Sequence, residues 1–158
     1  MNDTDVSEIL EIPGRWNIPY LYSAGRTASR FFCDIRDHKR LSATRCLQCN
    51  RVYLPPRAFC EICFHKIDEW VEIGLKGSIM TFTIVNEAFE GFPDPPYALA
   101  YVLLDGADTA LANFVVGLDF SKLDEALKRI KVGSRVKVSF KPRRKGRITD
   151  FVFKLSDT

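Results

Sequence analysis

Two C-x-x-C pairs, Cys46/Cys49 and Cys60/Cys63, stand ten residues apart in RCLQCNRVYLPPRAFCEICFHK (45–66), and they constrain the chain more than any other feature. Each pair presents two thiolates from one tight turn, and two such turns facing each other complete a tetrahedron. Zn²⁺ prefers that all-sulfur shell in structural sites. Iron suits the same softness and geometry, but nothing else in the chain suggests electron transfer, so zinc is the expected ion. A catalytic zinc keeps a position open for water or substrate, and four cysteines fill the shell. The expected task of Cys46, Cys49, Cys60 and Cys63 is therefore to organise a small loop-rich module with too little apolar surface to fold alone.

Arg45, Arg51, Arg57 and Lys66 surround these cysteines in sequence. A zinc tetrathiolate carries a formal charge of about −2, and local charge balance is their expected role. His65, two residues past Cys63, could replace a ligand, but four sulfurs are already available. The fifth cysteine, Cys33, follows Phe31 and Phe32 in a predicted helix, and reads as a buried or half-buried structural thiol.

Around this module the pattern changes twice. Residues 12–25, IPGRWNIPYLYSAG, read as an extended arm punctuated by proline, whose Trp16, Tyr20, Leu21 and Tyr22 are costly to leave in water. A helix is predicted in RTASRFFCDIRDHKR, with Ala28, Phe31, Phe32 and Ile35 on one face and a possible Arg30–Asp34 pair on its flank. From Trp70 onward the pattern is β. GSIMTFTIV (77–85), YALAYVLL (97–104) and TALANFVV (109–116) read as strands, the second central, with DGAD (105–108) as a turn. A helix follows in SKLDEALKRI, with Ser121 and Asp124 as a capping box, Leu123, Leu127 and Ile130 on one face, and Gly133 beyond its end. Two more strands, RVKVSF and ITDFVFKL, close the order. Three strands, a helix and two strands is the order of the five-stranded OB barrel. The expected fold is mainly β with an N-terminal helix: a four-cysteine zinc ribbon followed by an OB-fold barrel. The expected division is 1–25 acidic tail and aromatic arm, 26–69 helix and ribbon, 70–158 OB-fold.

Composition narrows the function. No apolar run approaches the roughly 20 residues that span a bilayer, and the acidic start lacks a signal-peptide pattern, so a cytoplasmic location is expected. Net charge is +3, with 23 Lys and Arg against 20 Asp and Glu. That is a weak footprint for a nucleic-acid binder, although zinc ribbons and OB-folds occur in such proteins. No G-x-S-x-G, phosphate-binding glycine loop or H-E-x-x-H is present, and His38 and His65 adjoin no nucleophile motif. The expectation is a chain without catalysis of its own.

The combination resembles the DUF35 family of acyl-CoA-associated proteins. RCLQCNRVYLPPRAFCEIC is similar to its ribbon, Trp70 followed by GLKGSIMTFTIV to its entry into the first OB strand, and FPDPPYALAYVLLDG to its proline-rich loop and second strand. The match spans about residues 28–154. The resemblance implies an accessory subunit of an enzyme acting on CoA thioesters, most of all a thiolase-like catalytic chain in a hetero-oligomer. An acyl-CoA hydratase is the alternative partner. Proteins similar to this one include small subunits of thiolases in aromatic-compound breakdown. CoA itself needs cations, a stacking surface and an apolar slot. Arg143, Arg144, Lys145 and Arg147 are the candidates for its phosphates, and Phe89, Phe92 and Tyr97 for the slot.

Overall fold

The computed structural model describes residues 11–14, 16 and 18–156. Most of the acidic tail therefore lies outside the described residues. The described part of the arm, up to Ala24, forms neither helix nor strand and is exposed.

Helix α1 (Gly25–Cys33) passes directly into a π-helical turn (Asp34–His38), which Lys39 closes at φ +52°. Phe31 and Ile35 are buried, with Phe32 packed beside them, as the apolar spacing predicts. Cys33 departs from expectation and is exposed, because it falls on the opposite side from Phe31 and Ile35. Among the described residues its thiol accepts one long contact, from Arg36 Nη2 at 3.7 Å. The Arg30–Asp34 pair does not form either. Arg30 lies over the Trp70 ring at 4.2 Å, and Asp34 faces Ser42 Oγ and Arg40 instead.

Strands β1 (Ser42–Arg45), β2 (Val52–Tyr53) and β3 (Glu69–Glu72) form a small antiparallel sheet in the order β2-β1-β3. The remaining strands are β4 (Lys76–Val85), β5 (Tyr97–Leu104), β6 (Leu111–Val116), β7 (Arg135–Phe140) and β8 (Phe151–Leu155). They close in the order β4-β5-β6-β8-β7 and back to β4. All pairs are antiparallel except β6–β8. This is OB topology, but as a ring of five strands with two weak seams rather than an evenly bonded barrel. The parallel β6–β8 seam has two residue pairs, and β4–β7 has three.

Gly77 sits where β4 pairs with both Leu104 of β5 and Val136 of β7. A Cβ there would strike Leu103 O and lie 2.8 Å from Leu104 Cα. A bulge between Ile79 and Thr81 follows, turning Met80 out to solvent.

Alternation sets the inside of the ring: Ala98, Ala100, Val102 and Leu104 of β5 point inward, as do Val136 and Val138 of β7 and Phe151 and Phe153 of β8. Phe31, Ile35, Leu41, Ala43, Val52 and Leu54 belong to the same cluster, so helix and ribbon sheet share one core with the ring. Helix α2 (Leu123–Arg129) covers one end through Ala126 and Ile130. Leu123 and Leu127 are 45% and 43% exposed, so the predicted stripe is rotated toward the smaller side chain, which allows closer approach. Its entry is capped by Asp119, not Ser121. Asp119 Oδ1 accepts from Ser121 N at 3.0 Å and Ser121 Oγ at 2.7 Å, and a 3₁₀ turn (Phe120–Lys122) intervenes.

Candidate metal centre and surrounding surfaces

The two cysteine turns are built alike. In the first, Cys46 N donates to Arg51 O at 2.9 Å, and in the second, Cys60 N donates to His65 O at the same distance. The residue after each second cysteine, Asn50 or Phe64, takes a left-handed conformation (φ +52° and +59°) that curls the chain around the sulfurs. Cys46 Sγ lies 3.5 Å from Cys63 Sγ, and Cys60 Sγ 3.8 Å from Cys49 Sγ; all four lie within 4.8 Å of one another. Four sulfurs at about 2.3 Å from a tetrahedral zinc are about 3.8 Å apart. The donor set fits that ion. His65 is exposed, with its ring turned to the Cys63 carbonyl, and is not part of the cluster.

Tyr53 supports the centre from behind. It is fully buried, and its hydroxyl lies 3.2 Å from Cys60 Sγ. The Cys60 thiol is held low, at about 6, by the backbone hydrogen bond from Cys63 and then by the Tyr53 hydroxyl. Cys49 is pushed up to about 12 by its hydrogen bond to Cys63 and by burial. Four adjacent thiols cannot all ionise unaided, and a bound dication supplies the charge that lets them. The guanidinium groups of Arg57 and Arg51 lie over the Tyr53 ring at 5.2 and 5.8 Å. Both pair with Glu61, while Arg45 pairs with Glu69 and Lys66 with Asp68. The cations of the ribbon are thus balanced locally. Nε of Arg45 and of Arg51 are buried without a hydrogen-bond partner, and both residues bracket the first cysteine turn, where the metal centre concentrates negative charge.

A tie that sequence reasoning missed holds ribbon to ring. In the β5–β6 turn, Asp108 Oδ2 accepts from Val52 N at 2.8 Å and Asp108 N donates to Val52 O at 2.9 Å. Thr109 Oγ1 accepts from Leu54 N at 2.7 Å and donates to Leu54 O at 2.9 Å. The partners are 55 or 56 residues apart, so no local pattern announces them.

The basic loop is organised by Asp150, which is 5% exposed. Its Oδ2 accepts from Lys145 N at 2.7 Å and Arg147 N at 2.9 Å. Burial alone would raise this carboxyl, but backbone N–H groups of Arg147, Lys145 and Gly146 outweigh it and hold the pKa below the ordinary value. Arg144 is spent on the fold: Nε donates to Arg36 O at 2.9 Å, and Nη1 to the Lys141 and Pro142 carbonyls. Arg143, Lys145 and Arg147 are exposed, with no ion pair or side-chain hydrogen bond among the described residues.

Beside that loop, the outer face of β4, β5 and β6 carries an apolar groove of about 550 Å³. Thr81, Phe92, Leu99, Tyr101 and Phe114 line it, and Ile148 and Thr149 close the end nearest the loop. Phe92 alone of the three predicted rings lies in it. Phe89 is exposed outside, and Tyr97 is buried, stacked on Phe92 (6.3 Å) and edge-on to Phe114 (5.6 Å).

Comparisons agree with this architecture. Residues 34–66 match the family model described as "ChsH2, rubredoxin-like zinc ribbon domain". Residues 70–141 match "ChsH2, C-terminal OB-fold domain". A DUF35 domain-containing scaffold protein of Methanocaldococcus jannaschii is 32% identical over 78 residues, which are 48% of this chain and 55% of that protein. One from Pyrococcus furiosus is 33% identical over 86 residues, 54% of this chain and 62% of that protein. The chain thus spans little more than half the length of these curated relatives. Two solved structures share the fold. A chain of the Ltp2-ChsH2(DUF35) aldolase gives a TM-score of 0.62 at 23% identity, over 85% of this chain and 98% of that one. A DUF35 protein of unknown function from Sulfolobus solfataricus gives 0.61 at 22% identity, over 84% and 87%. With helix, four-cysteine ribbon and five-strand ring in that order, this chain belongs to the DUF35 family.

Proposed function

We propose that this chain is a non-catalytic accessory subunit of a CoA-thioester enzyme, working beside a thiolase-like catalytic subunit in the cytoplasm. The observation that carries the reading is the filled sulfur shell. Cys46, Cys49, Cys60 and Cys63 converge on one point, with no ligand position left for substrate. The ion holds the ribbon's turns in place, and the reacting groups come from another chain. The archaeal relatives are scaffold proteins and the Ltp2-ChsH2(DUF35) aldolase includes a DUF35 chain, which supports an accessory role.

On this reading Arg143, Lys145 and Arg147 meet the phosphates of the acyl-CoA, and Phe92 the pantetheine arm, with Phe89 at the margin. Arg144 keeps the loop in shape rather than touching ligand, and Tyr97 supports Phe92 from beneath.

Affinity purification of the chain from its native source tests the reading. A thiolase-like chain should co-purify in near-equal amount, and the pair should split the carbon–carbon bond of a 3-oxoacyl-CoA and transfer the released acyl group to added free CoA, a reaction that neither chain carries out alone. A homogeneous chain without partner and without acyl-CoA affinity would overturn it. A hydratase in place of the thiolase would correct the partner and leave the accessory role standing.

A further inference from the structure

The two cysteine turns are alike in backbone and unlike in what they hold outward. The left-handed position after the second cysteine is Asn50 in one turn and Phe64 in the other. Phe64 N donates to Cys60 O at 3.1 Å, so the turn imposes this conformation whatever the side chain. Asparagine adopts it readily, whereas a bulky residue there is an outlier. Packing does not account for the choice, since Phe64 is 79% exposed. Strain that the fold does not need gathers at sites of recognition.

Phe64 has apolar company. Leu47 follows Cys46 and Ile62 precedes Cys63, and the sulfurs of those two cysteines are 3.5 Å apart. The three side chains therefore flank one pair of adjacent ligands, and Leu47 and Ile62 are 74% and 56% exposed. The turns cannot fold over them. Cys46 N is held by Arg51 O and Cys60 N by His65 O, and a bound ion fixes the sulfurs.

Charge indicates what covers this surface. Between positions 45 and 69 stand the cations Arg45, Arg51, Arg57 and Lys66 and the carboxylates Glu61, Asp68 and Glu69. Each of these cations is paired with one of those carboxylates. A nucleic acid needs free cations to displace its counterions, and an anionic membrane surface needs the same. The ribbon offers neither. Apolar side chains inside a rim of satisfied charge, with an aromatic anchor, are the anatomy of a protein–protein interface. The matching partner is a protein with an uncharged apolar recess. This chain's own apolar groove has a different character, because its Ile148–Thr149 end lies beside the exposed Arg143, Lys145 and Arg147. Ribbon-in-groove contact between copies would also run head to tail, which grows filaments unless the rotation closes.

We propose that Leu47, Ile62 and Phe64 form the surface by which the ribbon docks on the catalytic subunit, with the Phe64 ring anchored in an uncharged apolar recess of that partner. The proposal rests on the accessory role above and gives that role a place on the molecule. The metal then keeps a recognition surface in shape as well as a fold.

The catalytic chain that co-purifies with this one is the probe. With the two chains produced separately, titration calorimetry gives the dissociation constant for the zinc-loaded wild type and its variants. Phe64→Asn is expected to weaken the pair about tenfold or more, and Ile62→Asn several-fold. Phe64→Asn should also raise the urea midpoint of the isolated chain, because it relieves the left-handed turn. Val132→Asn, at an apolar position of the ring that is 67% exposed, should leave the affinity unchanged. Zinc content verifies that the sulfur shell is intact in each variant. Unchanged affinity in both ribbon variants would overturn the inference and leave the accessory role standing. A lower urea midpoint in Phe64→Asn would also overturn it, by making Phe64 a residue of the fold. So would self-association of the wild type that Phe64→Asn abolishes, which would put a second copy on the surface. Absence of any co-purifying chain would overturn the inference and the accessory role together.

Discussion

Asp150 offers the sharpest energetic test, because one buried oxygen organises the whole basic loop. Its Oδ2 accepts from Lys145 N at 2.7 Å and Arg147 N at 2.9 Å. Hydrogen bonds to a charged group contribute about 1.5–3 kcal/mol each, against about 0.5–1.5 for neutral partners. Asp150→Asn keeps size and one carbonyl acceptor but removes the charge from both bonds, so a loss of about 2 kcal/mol is expected. The pH dependence has a definite sign. The folded carboxyl titrates below its ordinary value, so its contribution is present above the unfolded pKa and is lost as pH falls through the folded one. Urea unfolding of both proteins between pH 7 and about pH 3 should show the variant less stable at neutral pH, with the gap closing below about pH 4. Equal stability at pH 7, or a gap that holds constant into acid, would refute the assignment of Asp150 as a charged acceptor for these amides.

The metal centre gives two further tests. Tyr53→Phe removes only the hydroxyl on Cys60 Sγ and should weaken zinc binding about 10–100-fold in competition with a chromophoric chelator. His65→Ala should leave zinc stoichiometry and affinity unchanged in the same titration, since the His65 ring lies outside the sulfur cluster. At the ring, Gly77→Ala drives a methyl into backbone of β5 that cannot yield. A loss of about 3 kcal/mol, at the upper end for overpacking, should appear as a lower urea midpoint.

The strands were the most legible part of the chain. YALAYVLL and RVKVSF occupy the predicted residues, and 77–85 gains only Lys76, because alternation against a buried interior is written directly into the side chains. The metal ligands were equally plain, since their spacing is local. Legibility failed where distant groups decided the outcome. TALANFVV begins two residues late as a strand because Thr109 is bonded to Leu54 instead of to a neighbouring strand. The first helix stops being α at Cys33, and Asp34 turns to Ser42 and Arg40 rather than Arg30. Among the loop cations, sequence could not separate Arg144, bonded to a carbonyl 108 residues away, from its exposed neighbours. The groove was invisible, because its walls are the outward residues of three strands that also read as core.

The Asp108–Thr109 tie carries a consequence for how the chain behaves in crowded solution. β2 is the outermost strand of the ribbon sheet, and it is very short. An outermost strand with unsatisfied amides invites another chain to pair with it and so to seed fibrous aggregates. Here the amides of Val52 and Leu54 and both their carbonyls are already engaged by the β5–β6 turn. The turn thus acts as a terminator for sheet growth. Loss of either side chain would cost the ribbon its colloidal safety as well as its anchorage.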